Sequence, residues 1–108
     1  MSFSVLLTAD AKHDLEDICD YIEGHEGPER THRVLQRLEE AFTSLSENPE
    51  RGNYPRELSA IGIRQFRQLM LKPYRIVYQV IEDRVYVMLV ADGRRDMQTL
   101  LQRRLLEH

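Results

Sequence analysis

The sequence has a single cysteine, Cys19, so no disulfide can form within the chain. A chain without disulfides suits a reducing compartment, and the first residues lack the basic start and long apolar stretch of a secretory signal peptide. No apolar run approaches the roughly 20 residues that are needed to span a bilayer. We therefore expect a cytoplasmic protein with no membrane partner.

The motifs of common cofactor and metal sites are also missing. There is no glycine-rich phosphate loop, no G-x-S-x-G and no H-E-x-x-H. His13, His25 and His32 lack the spacing of paired metal ligands and have no cysteine partner. Cys19 falls on an apolar helix stripe, which is more typical of a buried structural thiol than of a ligand or nucleophile. We expect neither a cofactor nor a metal ion.

The chain has no excess of positive charge, since its formal net charge is −3. This argues against a general nucleic-acid-binding protein, which needs a basic footprint for phosphates. The charge is uneven, however: residues 1–60 carry 13 acidic residues and 6 Lys or Arg, whereas residues 61–108 carry 5 and 9. The asymmetry suggests two faces with different partners, although two solvated surfaces of unequal composition explain the charge equally well.

The 108 residues, 42% hydrophobic and 31% charged, suit one globular domain. We assign it to residues 1–105. Residues 106–108, Leu-Glu-His, are typical of the start of a vector-derived tag, and we give His108 no functional weight.

Hydrophobic periodicity predicts the order β-α-α-β-β-β with a short helix last. Thr8 offers a side-chain oxygen to cap the first helix, and Gly24 and Gly27 are expected to end it. Residues 49–62 are predicted to form a loop with a brief turn at 56–59. The predicted strands cover about 3–8, 63–71, 74–81 and 84–91, and the predicted helices about 9–24, 28–47 and 96–105.

The two long helices each carry an apolar stripe, so they should form an antiparallel hairpin packed on a sheet. Alternation in the last β-hairpin places one apolar set toward these helices: Ile76, Tyr78, Val80, Val85, Val87 and Leu89. The other face is mixed: Arg75, Val77, Gln79, Ile81, Arg84, Tyr86, Met88 and Val90. A mixed face either binds a partner or is covered by the C-terminal helix. The fold class is α+β, with a helical hairpin on one face of a small, mainly antiparallel sheet.

A basic cluster is expected at one end of this sheet. Lys72 precedes a strand that Arg75 opens, and Arg94 and Arg95 follow Gly93 after the next strand. Clustered arginines suit phosphate or carboxylate recognition. Ordinary surface bridges to nearby acidic residues explain them slightly better: Asp92, Asp96 or Glu82.

Two carboxylate pairs, Asp14 with Asp17 and Glu39 with Glu40, fall on helix surfaces beside basic residues. Paired carboxylates suit acid–base chemistry, but a solvated helix face is the better explanation here.

Residues 74–96, YRIVYQVIEDRVYVMLVADGRRD, resemble the C-terminal hairpin of the ParE/RelE toxin superfamily, with its Tyr-Arg-x-x-Tyr strand and its Arg-Arg-Asp ending. TADAKHDLEDICDYI at 8–22 resembles the family's first helix, and ENPERG at 47–52 resembles the end of its second. The resemblance covers nearly the whole chain in the family order. It implies the β-α-α-β-β-β fold and a toxin of a bacterial type II toxin–antitoxin system that causes growth arrest or plasmid stabilization.

RelE-type members cut messenger RNA on the ribosome with a basic cluster and a C-terminal tyrosine or histidine as general base. Arg75 and Arg95 match the family's two arginines, and Arg67 falls near one strand lysine. The place of the base falls near Leu101, which cannot transfer a proton. The chain is also acidic, whereas a ribosome binder should be basic. Both departures count against an endoribonuclease.

ParE-type members lack that catalytic set and inhibit DNA gyrase. The resemblance to them implies target-contacting residues rather than catalysts: Lys72, Arg75, Tyr86, Arg94 and Arg95. It also implies a small cognate antitoxin of the ParD/RelB type, with apolar residues in the helix-hairpin groove, acidic residues at the arginines, or a strand on a sheet edge. Two alternatives stay open: a RelE-like nuclease that acts on the ribosome, with Arg75 and Arg95 catalytic, and a degenerate antitoxin-binding module without toxicity.

Overall fold

A computed structural model describes residues 2–107, so the assignment of His108 to a tag lies outside the described residues. The strands are β1 Ser4–Leu7, β2 Arg67–Leu71, β3 Tyr74–Ile81 and β4 Arg84–Asp92. The helices are α1 Ala9–Glu26, α2 Pro28–Glu47, α3 Arg56–Ser59 and α4 Met97–Leu101, and a π-helical turn, Gln102–Leu106, follows α4. The predicted order is confirmed, and α4 with the π-helical turn is called the C-terminal segment below.

The four strands form one sheet in the order β1-β4-β3-β2. β1 is parallel to β4, and the other two pairs are antiparallel, as the α+β prediction requires. β1 pairs only with residues 84–87 of β4, because the chain then turns into α1. The second half of β4, from Met88 onward, therefore has a strand neighbour only on the β3 side.

The ends of the two long helices are those that the sequence predicts, except at one glycine. The Thr8 hydroxyl oxygen accepts a hydrogen bond from the Ala11 N–H at 3.1 Å, as expected of an N-cap. Gly24 does not end α1, since it lies inside the helix, where a single glycine costs only about 1 kcal/mol. The helix ends at Gly27, whose φ of 90° favours glycine, and Pro28 begins α2.

A β-bulge in the last hairpin changes which side chains face the helices. Tyr78 pairs with Val87 and Val77 pairs with Leu89, so Met88 is an extra residue on β4. Beyond the bulge the two faces of β4 exchange: Val90 packs against the helical hairpin and Leu89 on the opposite side. The predicted faces of Leu89 and Val90 were therefore wrong, because strict alternation assumes an unbroken register.

The sheet separates two apolar cores. The larger core lies between the sheet and the α1–α2 hairpin, as predicted, and contains residues such as Leu38, Leu45, Ile76 and Val87. The smaller core lies on the other face: Leu58, Phe66, Val77, Leu89, Ala91, Met97, Leu100 and Leu101. The C-terminal segment thus covers the mixed face near the start of β3. At the hairpin end that face remains open, with Ile81 46% exposed.

β2 is shorter than predicted, and the chain before it is fixed in place by Tyr78. The Tyr78 hydroxyl donates to the Pro49 carbonyl at 2.7 Å and accepts from the Gly52 N–H at 3.0 Å. Gly52 also lies close to β2, since a Cβ there would stand 2.5 Å from the Gln68 carbonyl oxygen. The loop therefore lies against the outer edge of the sheet.

Candidate functional site

Arg75 is a buried arginine bound by a carboxylate that the sequence did not indicate. Its side chain is 9% exposed, and its two terminal nitrogens donate to the two Glu57 carboxylate oxygens at 2.7 and 2.8 Å. Its Nε donates to Gln68 Oε1 at 2.8 Å. The expected surface partners were Asp92, Asp96 and Glu82, but the actual partner comes from α3. Arg75 therefore joins α3, β2 and β3.

Glu57 is ionised at any physiological pH. The bidentate hydrogen bonds from Arg75 are the main cause, and they outweigh burial in lowering the pKa of this carboxyl to about 2. The pair is consequently neutral as a unit, and the Arg75 charge is compensated inside the fold.

Gly93 allows Arg75 to pass close to the backbone after β4. A Cβ at Gly93 would stand 3.0 Å from both Cγ and Cδ of Arg75, and the Gly93 N–H donates to the Pro73 carbonyl at 2.8 Å. The glycine in the Gly-Arg-Arg sequence thus provides room for the aliphatic part of Arg75.

The other basic residues of the predicted cluster lie at the same end of the sheet but are exposed. Arg94 forms a salt bridge with Asp92 at 2.6 Å, which is one of the surface bridges that the sequence suggested. Hydrogen bonding from Arg94 lowers the pKa of the Asp92 carboxyl. Arg95 and Lys72 are exposed, and within residues 2–107 neither makes a salt bridge. Lys72 and Arg95 are therefore available to a partner, whereas Arg75 is not.

Arg94 and Arg95 border a groove of about 420 Å³ between α1 and the ends of β3 and β4. Its apolar lining includes Ile18, Ile22 and Tyr74, and its acidic lining includes Asp17 and Glu26. Arg75 instead lines a second groove of about 390 Å³ on the opposite face of the sheet. The predicted arginines thus share one end of the sheet but not one groove.

Asp14 belongs to an internal ion pair and not to a solvated helix surface, so the interpretation of the Asp14/Asp17 pair was wrong for this residue. Its carboxylate oxygens accept from the two terminal nitrogens of Arg104, each at 3.0 Å, and one of them also accepts from the Val90 N–H at 3.0 Å. Arg104 donates in addition to the Met88 carbonyl at 3.3 Å. The pair connects α1, the open half of β4 and the C-terminal segment.

Tyr86 lies far from the arginine end. It pairs with Gln79 near the hairpin turn, five residues before Ala91, the partner of Arg75. At the rise of a β-strand this separates them by about 17 Å. Tyr86 could contact the same target as the arginines only across a wide interface.

A second basic cluster was missed in the sequence. The guanidinium carbons of Arg64 and Arg67 lie 4.4 and 4.6 Å from the ring centre of Tyr54. Arg67 also donates to the Gly52 carbonyl at 2.8 Å and to the Tyr54 hydroxyl at 3.2 Å. The available signal was local charge, since residues 51–75 contain six Lys or Arg and one acidic residue.

The described residues give little support for a cysteine nucleophile, a metal site or a membrane-spanning helix. Burial raises the pKa of the half-buried Cys19 thiol, the opposite of what a nucleophile needs. Within residues 2–107, no group of three His, Cys, Asp or Glu is placed to hold a metal ion. In the same range no helix is both long and apolar enough to cross a membrane.

Residues 5–97 match the family described as the ParE toxin of the type II toxin–antitoxin system parDE. The chain belongs to the ParE toxin family. It is accordingly a type II toxin–antitoxin toxin of the ParE/RelE superfamily, as its sequence resemblance indicated. A comparison with curated proteins finds none that matches this ParE-family chain.

Solved structures with the same fold include members of both branches. A chain of the chromosomal ParDE system of P. aeruginosa is 20% identical, with a TM-score of 0.69 over 84% of this chain and 96% of that one. A chain of the RelBE2 toxin–antitoxin complex of Mycobacterium tuberculosis is 23% identical, with a TM-score of 0.58 over 85% and 99%. A mutant of the E. coli toxin RelE in the free state is 18% identical, with a TM-score of 0.62 over 93% of each chain. These similarities show the fold of this ParE-family toxin.

Proposed function

We propose that this toxin inhibits DNA gyrase by binding it, without catalysing a reaction, and that a small cognate antitoxin neutralises it. The observation that carries the proposal is the engagement of Arg75 by Glu57 and Gln68. An arginine that stabilises charge during RNA cleavage has to direct its N–H donors at the reacting phosphate. Here all three guanidinium nitrogens donate to protein oxygens, in four hydrogen bonds, and an ionised carboxylate compensates the charge.

Leu101 supports the same proposal. By the sequence resemblance it falls near the position of the general base of the nuclease branch, and it is fully buried in the smaller core with Val77 and Leu89. A buried leucine can neither accept a proton nor stack on a base. With a leucine at that position and with Arg75 neutralised, binding is the simpler mode of action.

Lys72 and Arg95 are the strongest candidates for contact with gyrase. Both are exposed at the same end of the sheet, and among the described residues neither forms a salt bridge. Arg94 is held by Asp92, so it would contribute a neutral pair at the edge of the contact. Tyr86, at the other end, is proposed as a secondary contact.

We propose that the antitoxin, a ParD/RelB-like protein, occupies the groove between α1 and the strand ends. Ile18, Ile22 and Tyr74 offer apolar surface, and Arg94 and Arg95 stand at the edge. An amphipathic tail would satisfy both features if its apolar residues enter the groove and its acidic residues lie at the arginine edge, away from Asp17 and Glu26. The ParDE and RelBE2 proteins named above are toxin–antitoxin systems, which supports a partner of this kind.

Two assays on the purified toxin test the target: gyrase supercoiling and cleavage, and ribosome-dependent cleavage of messenger RNA. We expect gyrase inhibition with intact messenger RNA. We also expect Arg95→Ala to weaken gyrase inhibition by about tenfold, the scale of a contact worth 1.4 kcal/mol. Arg33→Ala, which removes the same charge from the exposed surface of α2, is the matched control.

Cleaved messenger RNA with unaffected gyrase would assign the toxin to the nuclease branch. Activity in neither assay, with retained antitoxin binding, would identify a binding module that has lost its toxicity. Equal effects of the Arg95 and Arg33 substitutions would show that Arg95 is not a specific contact.

A further inference from the structure

The cluster around Tyr54 carries positive charge that no salt bridge among residues 2–107 compensates. Within residues 2–107, none of Arg56, Arg64 and Arg67 makes a salt bridge. The Tyr54 ring lies against both Arg64 and Arg67, so their guanidinium carbons are at most about 9 Å apart. Backbone carbonyls hold Arg67 in addition. Two like charges held this close in a chain of net charge −3 indicate a site for an anion with repeated charges.

The surface beside the cluster has the chemistry of a phosphate-backbone contact. Arg56 and Tyr54 line the groove of about 390 Å³ on the outer sheet face, together with the amide side chains of Asn53 and Gln68. Arginine, asparagine, glutamine and tyrosine are the side chains that bind phosphate and sugar oxygens in protein–DNA complexes. The one acidic residue in the groove, Glu57, is already neutralised by Arg75.

Two features favour duplex nucleic acid over a peptide or a single strand. The lining is mostly polar, whereas a peptide groove needs apolar anchors. Single strands are bound mainly by stacking of bases on aromatic rings. The aromatic ring in this groove belongs to Tyr54, and it is already engaged by two guanidinium groups.

We infer that the surface around Tyr54 binds the phosphate backbone of duplex DNA, with Arg56, Arg64 and Arg67 as the phosphate contacts. Such contacts carry no base specificity, so binding is independent of the DNA sequence. Because the chain as a whole has a net charge of −3, this binding is local to the basic surface and requires low salt. The site lies on the other face of the sheet from the α1 groove that Arg94 and Arg95 border. A toxin bound to gyrase could therefore also touch the DNA that gyrase holds.

Binding of a short labelled duplex to the full-length toxin, followed by fluorescence anisotropy at several salt concentrations, tests the inference. Three phosphate contacts predict a slope of log K against log salt of about −2.7, because each contact contributes about −0.9. The variant Arg56→Gln/Arg64→Gln should reduce the slope to about −0.9. It leaves in place Arg67, whose hydrogen bonds also hold the loop.

The control variant Arg33→Gln/Arg84→Gln removes the same charge from exposed positions on α2 and at the hairpin turn. It should keep the wild-type slope, and circular dichroism should show both variants folded. The inference fails if the wild-type chain does not bind duplex DNA at low salt, or if both variants lose the same slope. Tighter binding of a single strand or of a polyglutamate peptide of equal charge would also overturn it. Because the binding assay contains no gyrase, a negative result would not contradict the proposed inhibition of gyrase.

Discussion

Asp14 on α1 and Arg104 in the C-terminal segment form a bidentate ion pair 90 residues apart in the sequence, with both bonds at 3.0 Å. Their side chains are 15% and 21% exposed. Because Asp14 also accepts the Val90 N–H, we expect Asp14→Ala to be more damaging than Arg104→Gln. Leaving a buried N–H without an acceptor adds about 1–3 kcal/mol.

Urea unfolding of the two variants measures this difference. Asp14→Asn is the intermediate case, because its amide oxygen can still accept from Val90. If Arg104→Gln proves the costlier substitution, the hydrogen bond from Arg104 to Met88 contributes more to stability than the hydrogen bond from Val90 to Asp14.

The ion pair of Glu57 with Arg75 predicts a specific pH dependence of stability. The folded-state pKa of Glu57, about 2, is below its ordinary value of 4.5, so its contribution is complete above pH 4.5. That contribution is lost as the pH falls toward 2, and it amounts to about 2–3 kcal/mol. The free energy of unfolding, measured from pH 7 to pH 2, should fall more steeply for the wild type than for Glu57→Gln.

Glu47→Gln, an exposed substitution at the end of α2, is the control for this measurement and should reproduce the wild-type profile. Parallel profiles for the wild type and Glu57→Gln would mean that the carboxylate is not stabilised by Arg75.

The Tyr78 hydroxyl predicts a polar contribution in the interior. Tyr78→Phe removes the donor to Pro49 and the acceptor for the Gly52 N–H, and should cost about 1–3 kcal/mol of unfolding free energy. Tyr74→Phe, in the same strand and half-buried, is the matched control and should cost less than about 0.5 kcal/mol. Thermal unfolding of both variants decides the matter, and equal costs would contradict the assigned hydrogen bonds.

Two glycines should respond in opposite directions to alanine. At Gly24, inside α1, a Cβ meets nothing within 4 Å, so Gly24→Ala should stabilise the fold by about 0.5–1 kcal/mol. At Gly93 the Cβ would press on Arg75, and we expect a loss of about 1–2 kcal/mol as that side chain shifts. Denaturant midpoints of the two variants should therefore lie on opposite sides of the wild type.

Much of the fold follows from the sequence because local patterns determine it. The Thr8 cap, the start of the second helix at residue 28 and the alternation in β3 each depend on neighbouring residues, and the structure confirms them. The bulge at Met88 could not be predicted, because an extra residue is detected only when both strands are paired.

In the candidate site, too, local sequence predicts some features and the packing of distant elements determines the others. The sequence placed Arg75, Arg94 and Arg95 at one end of the sheet, which adjacency of strand ends is enough to establish. The partners could not be predicted: Glu57 and Arg104 reach their ion pairs from α3 and from the C-terminal segment. Pairs across such sequence separations depend on how the elements pack and leave no periodic signal.

The half of β4 that has no strand on its outer side also bears on how copies of the toxin behave toward one another. A row of open N–H and C=O groups on a β-strand is a template on which a second molecule can add, and such addition leads to aggregation. Asp14 occupies the N–H of Val90, and Arg104 occupies the C=O of Met88. The ion pair that fastens the C-terminal segment therefore also blocks two of the backbone groups on which a second copy could add a strand.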